Sequence, residues 1–306
     1  MNFPNKNKRI IIDADTGIDD ALAIILLSKY IPENILGITT CGGNVGVNQT
    51  TKNSLAILSL LGLKIPVFKG SKKPLKEKSY IPAYDYQGKN GLCNINLPNS
   101  LKPQRKSASD FIIESAKKYK NDLIIISLAP LTNIAEAILK NEKTKKYLKN
   151  IFIMGGAIRV PGNQTKYAEF NFFQDPDSAK IVFESIAKIR LIPLDVTNKC
   201  VIGKKEIKKF KNGKMGSFAS AAIKNWYGFF GNQKKREFEL YDPLVAGALL
   251  GNFLNFKKIK VKIVTEGSKK GQLLKDEKGL EIECALKVKN KEFQKFFFES
   301  INAFRK

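Results

Sequence analysis

The segment Asp13-Ala14-Asp15-Thr16-Gly17-Ile18-Asp19-Asp20 places four carboxylates in eight positions, directly after the apolar run Ile10-Ile11-Ile12. Four like charges this close repel one another, and a fold holds them together chiefly where a cation neutralises them. The donors are all oxygen and the chain contains no histidine. The chemistry therefore points to a hard divalent ion, Ca²⁺ or Mg²⁺. An acidic helix N-terminus would account for one or two of these carboxylates but not for four.

The elements that must position this cluster read as alternating strands and helices. Expected strands are Arg9–Ala14, Ile35–Thr40, Leu123–Ser127, Asn150–Met154 and Ile189–Leu194. Leu123–Ser127 is continuously apolar up to its serine, as in a parallel strand buried on both faces. Expected helices are Asp20–Lys29, Val47–Leu61, Ser107–Tyr119, Pro130–Leu139, Asp177–Ser185 and Pro243–Leu250, with Ser107 as an N-cap and Pro130 at the first helical position. A late strand pair, Lys260–Val264 and Leu280–Val288, precedes a terminal helix, Lys291–Phe304. With no internal repeat and no long linker, residues 1–306 read as one α/β domain with an open, mostly parallel, doubly wound sheet. Polar motifs follow the strands: Asp13–Asp20, Thr39–Asn44, Ala129–Asn133 and Gly155–Ala157. In such sheets ligands bind at the carboxyl ends of the strands, so these loops should converge on one crevice.

Composition narrows the class. An apolar content of 43% supports a core. Cys41, Cys93, Cys200 and Cys284 are far apart without zinc-ligand or CxxC spacing, which predicts reduced thiols. The N-terminus has no secretory h-region, and no apolar run approaches the ~20 residues of a membrane span. A cytoplasmic location is expected. The net charge of +25 suggests nucleic acid. Its lysines are dispersed, however, and the densest stretches, Lys204–Lys214 and Lys257–Lys262, lack the interleaved aromatics of a single-strand platform.

Six blocks in order, Asp13–Ala21, Thr39–Asn44, Pro130–Ala135, Met154–Asn171 with Asp175-Pro176, Leu194–Asn198 and Asp242-Pro243-Leu244, carry a resemblance. The chain resembles the calcium-dependent nucleoside hydrolases of the inosine-uridine type, from Arg9 to about Val288. The resemblance implies cleavage of the N-glycosidic bond of ribonucleosides to base and ribose, in nucleoside salvage. It implies Ca²⁺ held by Asp15, Asp20, Asp242 and the carbonyl of Leu128, with Asp15 also the base that activates a Ca²⁺-bound water. Asp19 and Asn44 match ribose contacts, Asn163, Glu169 and Asn171 the stretch that grips the sugar, and Asp13 an acceptor behind the metal ligands. Asp195 is read as structural, and Gly155-Gly156 as permitting a tight backbone.

The base half departs from the family. Where known members carry a histidine before the last aspartate, this chain has Tyr241, and Gln87 takes the place of a second histidine. Tyr241 is the candidate leaving-group acid, and Gln87, Trp226 and Phe229 are the candidate contacts to the base. The stretch Trp226–Phe230 reads either as helix core or as a mobile helix covering the substrate. Expected partners are a small-molecule ribonucleoside and further copies of the chain in a dimer or tetramer, with no specific nucleic acid and no membrane. A catalytically weakened ribose- or nucleoside-binding protein is the alternative.

Overall fold

The structure is a computed structural model that describes residues 4–229 and 237–304. Eleven strands are present among them: β1 Arg9–Ala14, β2 Ile35–Thr40, β3 Val67–Lys69, β4 Leu123–Ser127, β5 Ile151–Met154, β6 Ile189–Ile192, β7 Val201–Ile202, β8 Phe238–Glu239, β9 Leu254–Ile263, β10 Leu273–Lys275 and β11 Leu280–Val288. Nine form one sheet in the order β10-β9-β11-β6-β5-β4-β1-β2-β3, and β7 pairs with β8 apart from it. The run from β11 to β3 is parallel throughout, and β9 runs antiparallel to both its neighbours.

Side-chain alternation shows why the sheet is covered on both faces. Ile10 and Ile12 of β1 enter one apolar cluster and Ile11 the other. Ile124 and Ile126 of β4 likewise oppose Leu123 and Ile125. A strand with two buried faces has no polar side to show, hence its unbroken apolar run. The helix Ile18–Tyr30 is buried from Ile18 through Ser28. It packs closely against the helix Tyr241–Leu250, which is almost as apolar around its whole circumference. This packing presses the amino ends of two helices, each carrying aspartates, against the end of β1.

The expected strands β1, β2 and β4 and the helix Val47–Leu61 have the predicted bounds. Ser107 caps its helix, accepting from Asp110 N at 3.2 Å. Most other bounds shift by one or two residues, the strand expected over Lys260–Val264 is the longer β9, Leu254–Ile263, and two differences bear on the site. Pro130 lies before its helix, which starts at Thr132 because the Thr132 hydroxyl donates to Asp175 and the Asn133 side chain bridges strand ends. Leu194 opens a short helix, Leu194–Thr197, rather than ending β6. The stretch from Trp226 lies on the helix Lys214–Phe229, and Phe230 is outside the described residues. The basic stretch Lys257–Lys262 lies on β9 with its lysines exposed. Among the described residues no helix is long and apolar enough to cross a membrane.

Asn133, fully buried, ties the carboxyl ends of the central strands together. Its amide nitrogen donates to Asp13 Oδ1 at 2.8 Å and to the Thr40 carbonyl at 3.2 Å, and its oxygen accepts from Ser71 N at 3.0 Å. Asn133→Leu keeps the bulk and strands those buried groups, at ~1–3 kcal/mol each where no water reaches them. A loss of about 2–4 kcal/mol is expected from the urea midpoint at constant slope. A loss below ~1 kcal/mol would show that this amide does not hold the strand ends.

Candidate functional site

The loops after β1, β2, β4 and β5 converge at the carboxyl ends of the strands around a cavity of about 410 Å³. That volume is within the ~300–1,000 Å³ of small-molecule sites. Asp15, Asp19, Asn44, Gln87, Leu128, Asn163, Glu169, Asn171, Trp226, Tyr241 and Asp242 all border it. Phe229 does not. It is 40% exposed and lies against Gly88.

Asp19, Asp20 and Asp242 each bring a carboxylate oxygen within 4.8 Å of the others, and all three are buried. Asp20 is fixed by donors: Asp15 N at 3.2 Å and Gly17 N at 2.9 Å, with Asn44 Nδ2 at 3.2 Å. Asp15 lies beside this triad, and its Oδ2 accepts from Asn44 N at 2.6 Å. A Cβ at position 43 would overlap that carboxylate, so Gly43 is what lets the loop close over Asp15. Burial, then the neighbouring aspartates, push Asp15, Asp20 and Asp242 well above the usual carboxylate range. Burial raises Asp19 as well. Among the described residues no lysine or arginine pairs with any of them. Unneutralised buried carboxylates with oxygen-only donors fit a hard divalent cation, which inverts these shifts when it binds. The Leu128 carbonyl faces the same cavity and accepts from Asn171 Nδ2 at 2.9 Å.

Behind this cluster, Asp13 accepts from Thr39 Oγ1 at 2.6 Å and from Asn133. Its other oxygen has no hydrogen-bond partner among the described residues, and burial raises its carboxyl to about 6. Asp195 is structural, accepting from Ile158 N and Arg159 N at 2.9 Å each. Gly156 has φ +73° and donates its N–H to Glu169 at 3.0 Å, so the glycine pair does serve a tight backbone.

Three side chains sit differently from the base and sugar contacts expected of them. Gln87 is buried and committed: its oxygen accepts from Ile18 N and its nitrogen donates to Asp19 Oδ1, both at 2.9 Å. It braces the acidic cluster rather than facing a base. Trp226 borders the cavity wall yet is fully buried, packed edge-on to Tyr86, Tyr227 and Phe238. Its ring cannot stack on a ligand in this conformation, and Tyr86 is the aromatic ring on the cavity side of it. Glu169 caps the helix Phe170–Gln174, accepting from Asn171 N at 2.9 Å and Phe172 N at 3.1 Å as well as from Gly156. Sequence reasoning missed Tyr86, Phe170 and Glu239 on the cavity wall. Tyr86, adjacent to Gln87, and Phe170, between Glu169 and Asn171, carried a signal that could have found them. Tyr241 opens its helix with its hydroxyl hydrogen-bonded to the Asn163 side chain. Burial, with Glu239 nearby, pushes its phenol above the usual range.

Comparison with known proteins agrees with this geometry. The profile of the family described as inosine-uridine preferring nucleoside hydrolase matches residues 10–295. Uridine nucleosidase 1 of Arabidopsis thaliana is 33% identical over 284 residues, covering 89% of this chain and 83% of that protein. The pyrimidine-specific ribonucleoside hydrolase RihA of Shewanella sp. (strain MR-7) is 38% identical over 207 residues, covering 67% of this chain and 64% of its own. A solved purine-preferring ribonucleoside hydrolase from Gardnerella vaginalis superimposes with TM-score 0.90 at 32% identity, covering 96% of this chain and 98% of that one.

Burial raises the Glu169 carboxyl from 4.5 to about 7, its three backbone donors only partly offsetting this. A raised carboxyl contributes stability that is fully present below the unfolded value and lost as pH rises through the folded one. Glu169→Gln does not titrate, so it gains on the parent as pH climbs from about 4.5 past 7, by up to ~3 kcal/mol. Urea unfolding of both proteins in chelator at about pH 5 and about pH 8 measures this. A constant difference between them would place the Glu169 carboxyl near its ordinary value.

Proposed function

The chain belongs to the family of inosine-uridine preferring nucleoside hydrolases and cleaves the N-glycosidic bond of ribonucleosides, and we propose that it does so with Ca²⁺ as cofactor and Asp15 as the base. The observation that supports this reading is the buried acidic group of Asp19, Asp20 and Asp242, with Asp15 beside it, on a cavity of substrate size. Asp15, Asp20, Asp242 and the Leu128 carbonyl would hold the ion. When bound, a divalent cation lowers the pKa of water it holds and accepts neutral hydroxyl ligands.

The residues divide the remaining work. Asp19, braced by Gln87, accepts from a ribose hydroxyl, and Asn44 borders the same end. Asn163 and Asn171 border the cavity too, Asn171 with its oxygen as an acceptor, since its nitrogen already donates to the Leu128 and Met154 carbonyls, and Asn163 with its nitrogen as a donor. Bond breaking leaves positive charge near C1′, which adjacent carboxylates stabilise. Asp15 takes the proton of the attacking water. The electron pair of the broken bond leaves with the base, which must then gain a proton. Tyr241 stays a neutral phenol at ordinary pH, so it offers the base a hydrogen bond rather than a facile proton. The relatives' names split between uridine or pyrimidine and purine preference, and the base end of this cavity differs from the family pattern in lacking histidine. Four buried, unpaired cysteines accord with a reducing, cytoplasmic setting, where free base and ribose feed salvage.

Reducing-sugar release from uridine, inosine and their 2′-deoxy counterparts, with and without chelation, tests the reading. Activity should vanish in chelator and return with Ca²⁺. The deoxynucleosides should lose up to ~10⁴-fold in kcat/KM, because a site built to bind a hydroxyl leaves its own groups unpaired without it. Comparable values for uridine and 2′-deoxyuridine would contradict the ribose assignments.

Asp15→Asn separates the base from the scaffold. The amide keeps the shape but not the proton acceptor, so kcat should fall by ~10²–10⁴ while KM changes much less. A near-parental kcat would assign proton removal to another group.

A further inference from the structure

One polar pair on the cavity wall has no part in the hydrolysis just described. Tyr86, on the short helix Tyr84–Gln87, and Glu239, on β8, both border the cavity. The Tyr86 hydroxyl donates to Glu239 Oε2 at 2.7 Å. The pair is held from both sides. The Tyr86 ring packs edge-on to buried Trp226, with centroids 5.3 Å apart, and Trp226 is itself backed by Tyr227 and Phe238. The residue after Tyr86 is Gln87, locked to Asp19 and Ile18. Glu239 lies two positions before Tyr241, which also borders the cavity. The sugar has its own partners in the acidic group and in Asn163 and Asn171, so the group left to meet this pair is the base.

The proton inventory decides what the pair can read. A phenol has one proton, and here it is spent on Glu239. An ionised carboxylate has none and accepts at about four positions. Toward a ligand, the couple is therefore an acceptor and not a donor. Burial, with Tyr241 and Glu239 beside it, holds the Tyr86 phenol above its usual range, so the proton stays on Tyr86 and the pair is a poor acid. Recognition, not proton transfer, is the chemistry it suits.

We propose that the Tyr86–Glu239 pair selects the leaving base, taking one that presents a ring N–H donor to it. The uracil and hypoxanthine rings carry such a donor, and N-methylation of the same nitrogen removes it. This rests on hydrolysis of ribonucleosides in this cavity.

The test is kcat/KM for uridine, 3-methyluridine, inosine, 1-methylinosine and p-nitrophenyl riboside, with the parent protein, Glu239→Met and Tyr86→Phe. Methionine keeps the bulk of the glutamate without the acceptor. The parent should prefer the N–H form of its better nucleoside over the N-methyl form by ~10–100-fold, the worth of one hydrogen bond to a charged acceptor. Glu239→Met should lose about that factor on the N–H form and far less on the N-methyl form, so the preference collapses toward one. Tyr86→Phe, which leaves the carboxylate in place, should reduce the preference by a smaller factor. The p-nitrophenyl riboside has no ring N–H and reports on the folded sugar site. Its loss in Glu239→Met should be at least tenfold smaller than the loss on the N–H nucleoside. Equal losses on all substrates would make the pair structural and overturn the proposal. A methyl penalty that survives in Glu239→Met would be steric and would also overturn it. A parent that hydrolyses nucleosides and p-nitrophenyl riboside without N–H preference overturns this inference alone. A parent that hydrolyses none of them overturns the hydrolase reading as well.

Discussion

The structure depends on keeping like charges together in a dry place. Asp15, Asp19, Asp20 and Asp242 are each 7% exposed or less, and no lysine or arginine among the described residues offsets them. Their proximity follows from apolar packing elsewhere. The helices Ile18–Tyr30 and Tyr241–Leu250 bury nearly their whole circumference against each other and the sheet, and their aspartates sit at the amino ends that this packing brings together. Helix amino ends favour negative charge, which lessens the repulsion without cancelling it. The remainder is held as raised carboxyl pKa values until a cation takes the place of protons. Hydrophobic burial thus supplies the free energy that assembles a polar site.

Amide side chains form the layer that turns this cluster into a shaped cavity. Asn133 joins the ends of β1 and β2 to the segment after β3. Gln87 links Asp19 to the loop after β3, and Asn171 holds the Leu128 carbonyl against the end of β5. The Asn44 side chain donates to the Asp15 carbonyl and to the Asp20 carboxylate. A neutral amide can donate to one loop and accept from another while adding no charge to an acidic site. That explains why these positions carry Asn and Gln rather than Lys or Arg, which would neutralise the carboxylates that the cation needs.

Legibility followed the physics of each part. Strands buried on both faces, β1, β2 and β4, announce themselves as apolar runs and had the expected bounds. The three-residue strands β3 and β10 are too short to show a period. The acidic cluster was legible because its residues are concentrated in one segment, with Asp242 joined by resemblance. The roles of Gln87 and Trp226 were not, since both are set by partners far away in sequence. Gln87 turns inward because Ile18 N donates to its amide oxygen and Asp19 accepts from its amide nitrogen, and Trp226 is enclosed by β8 and the helix Tyr84–Gln87. Glu239 could not be found from its neighbours, since only the closure of β8 onto β7 brings it to the cavity.

The sugar half and the base half of the cavity answer to different constraints. The sugar half stands on β1, β2, β4 and β5, whose register is fixed by two-sided burial, so a change there disturbs the core. The base half is built from the segment around Tyr84–Gln87, the carboxyl end of the helix Lys214–Phe229, and β8, all outside the nine-stranded sheet. Such a wall can vary while the acidic cluster keeps its geometry, except at Gln87, which is tied to Asp19 and Ile18. The surface charge of +25 does not enter this division. A nucleoside is neutral, so a long-range field does not steer it, and exposed lysines are screened within ~8 Å at physiological salt. In the proposed mechanism the charge that develops at C1′ is met at close range by buried carboxylates of the opposite sign. The cavity therefore carries its own electrostatics, independent of the basic surface around it.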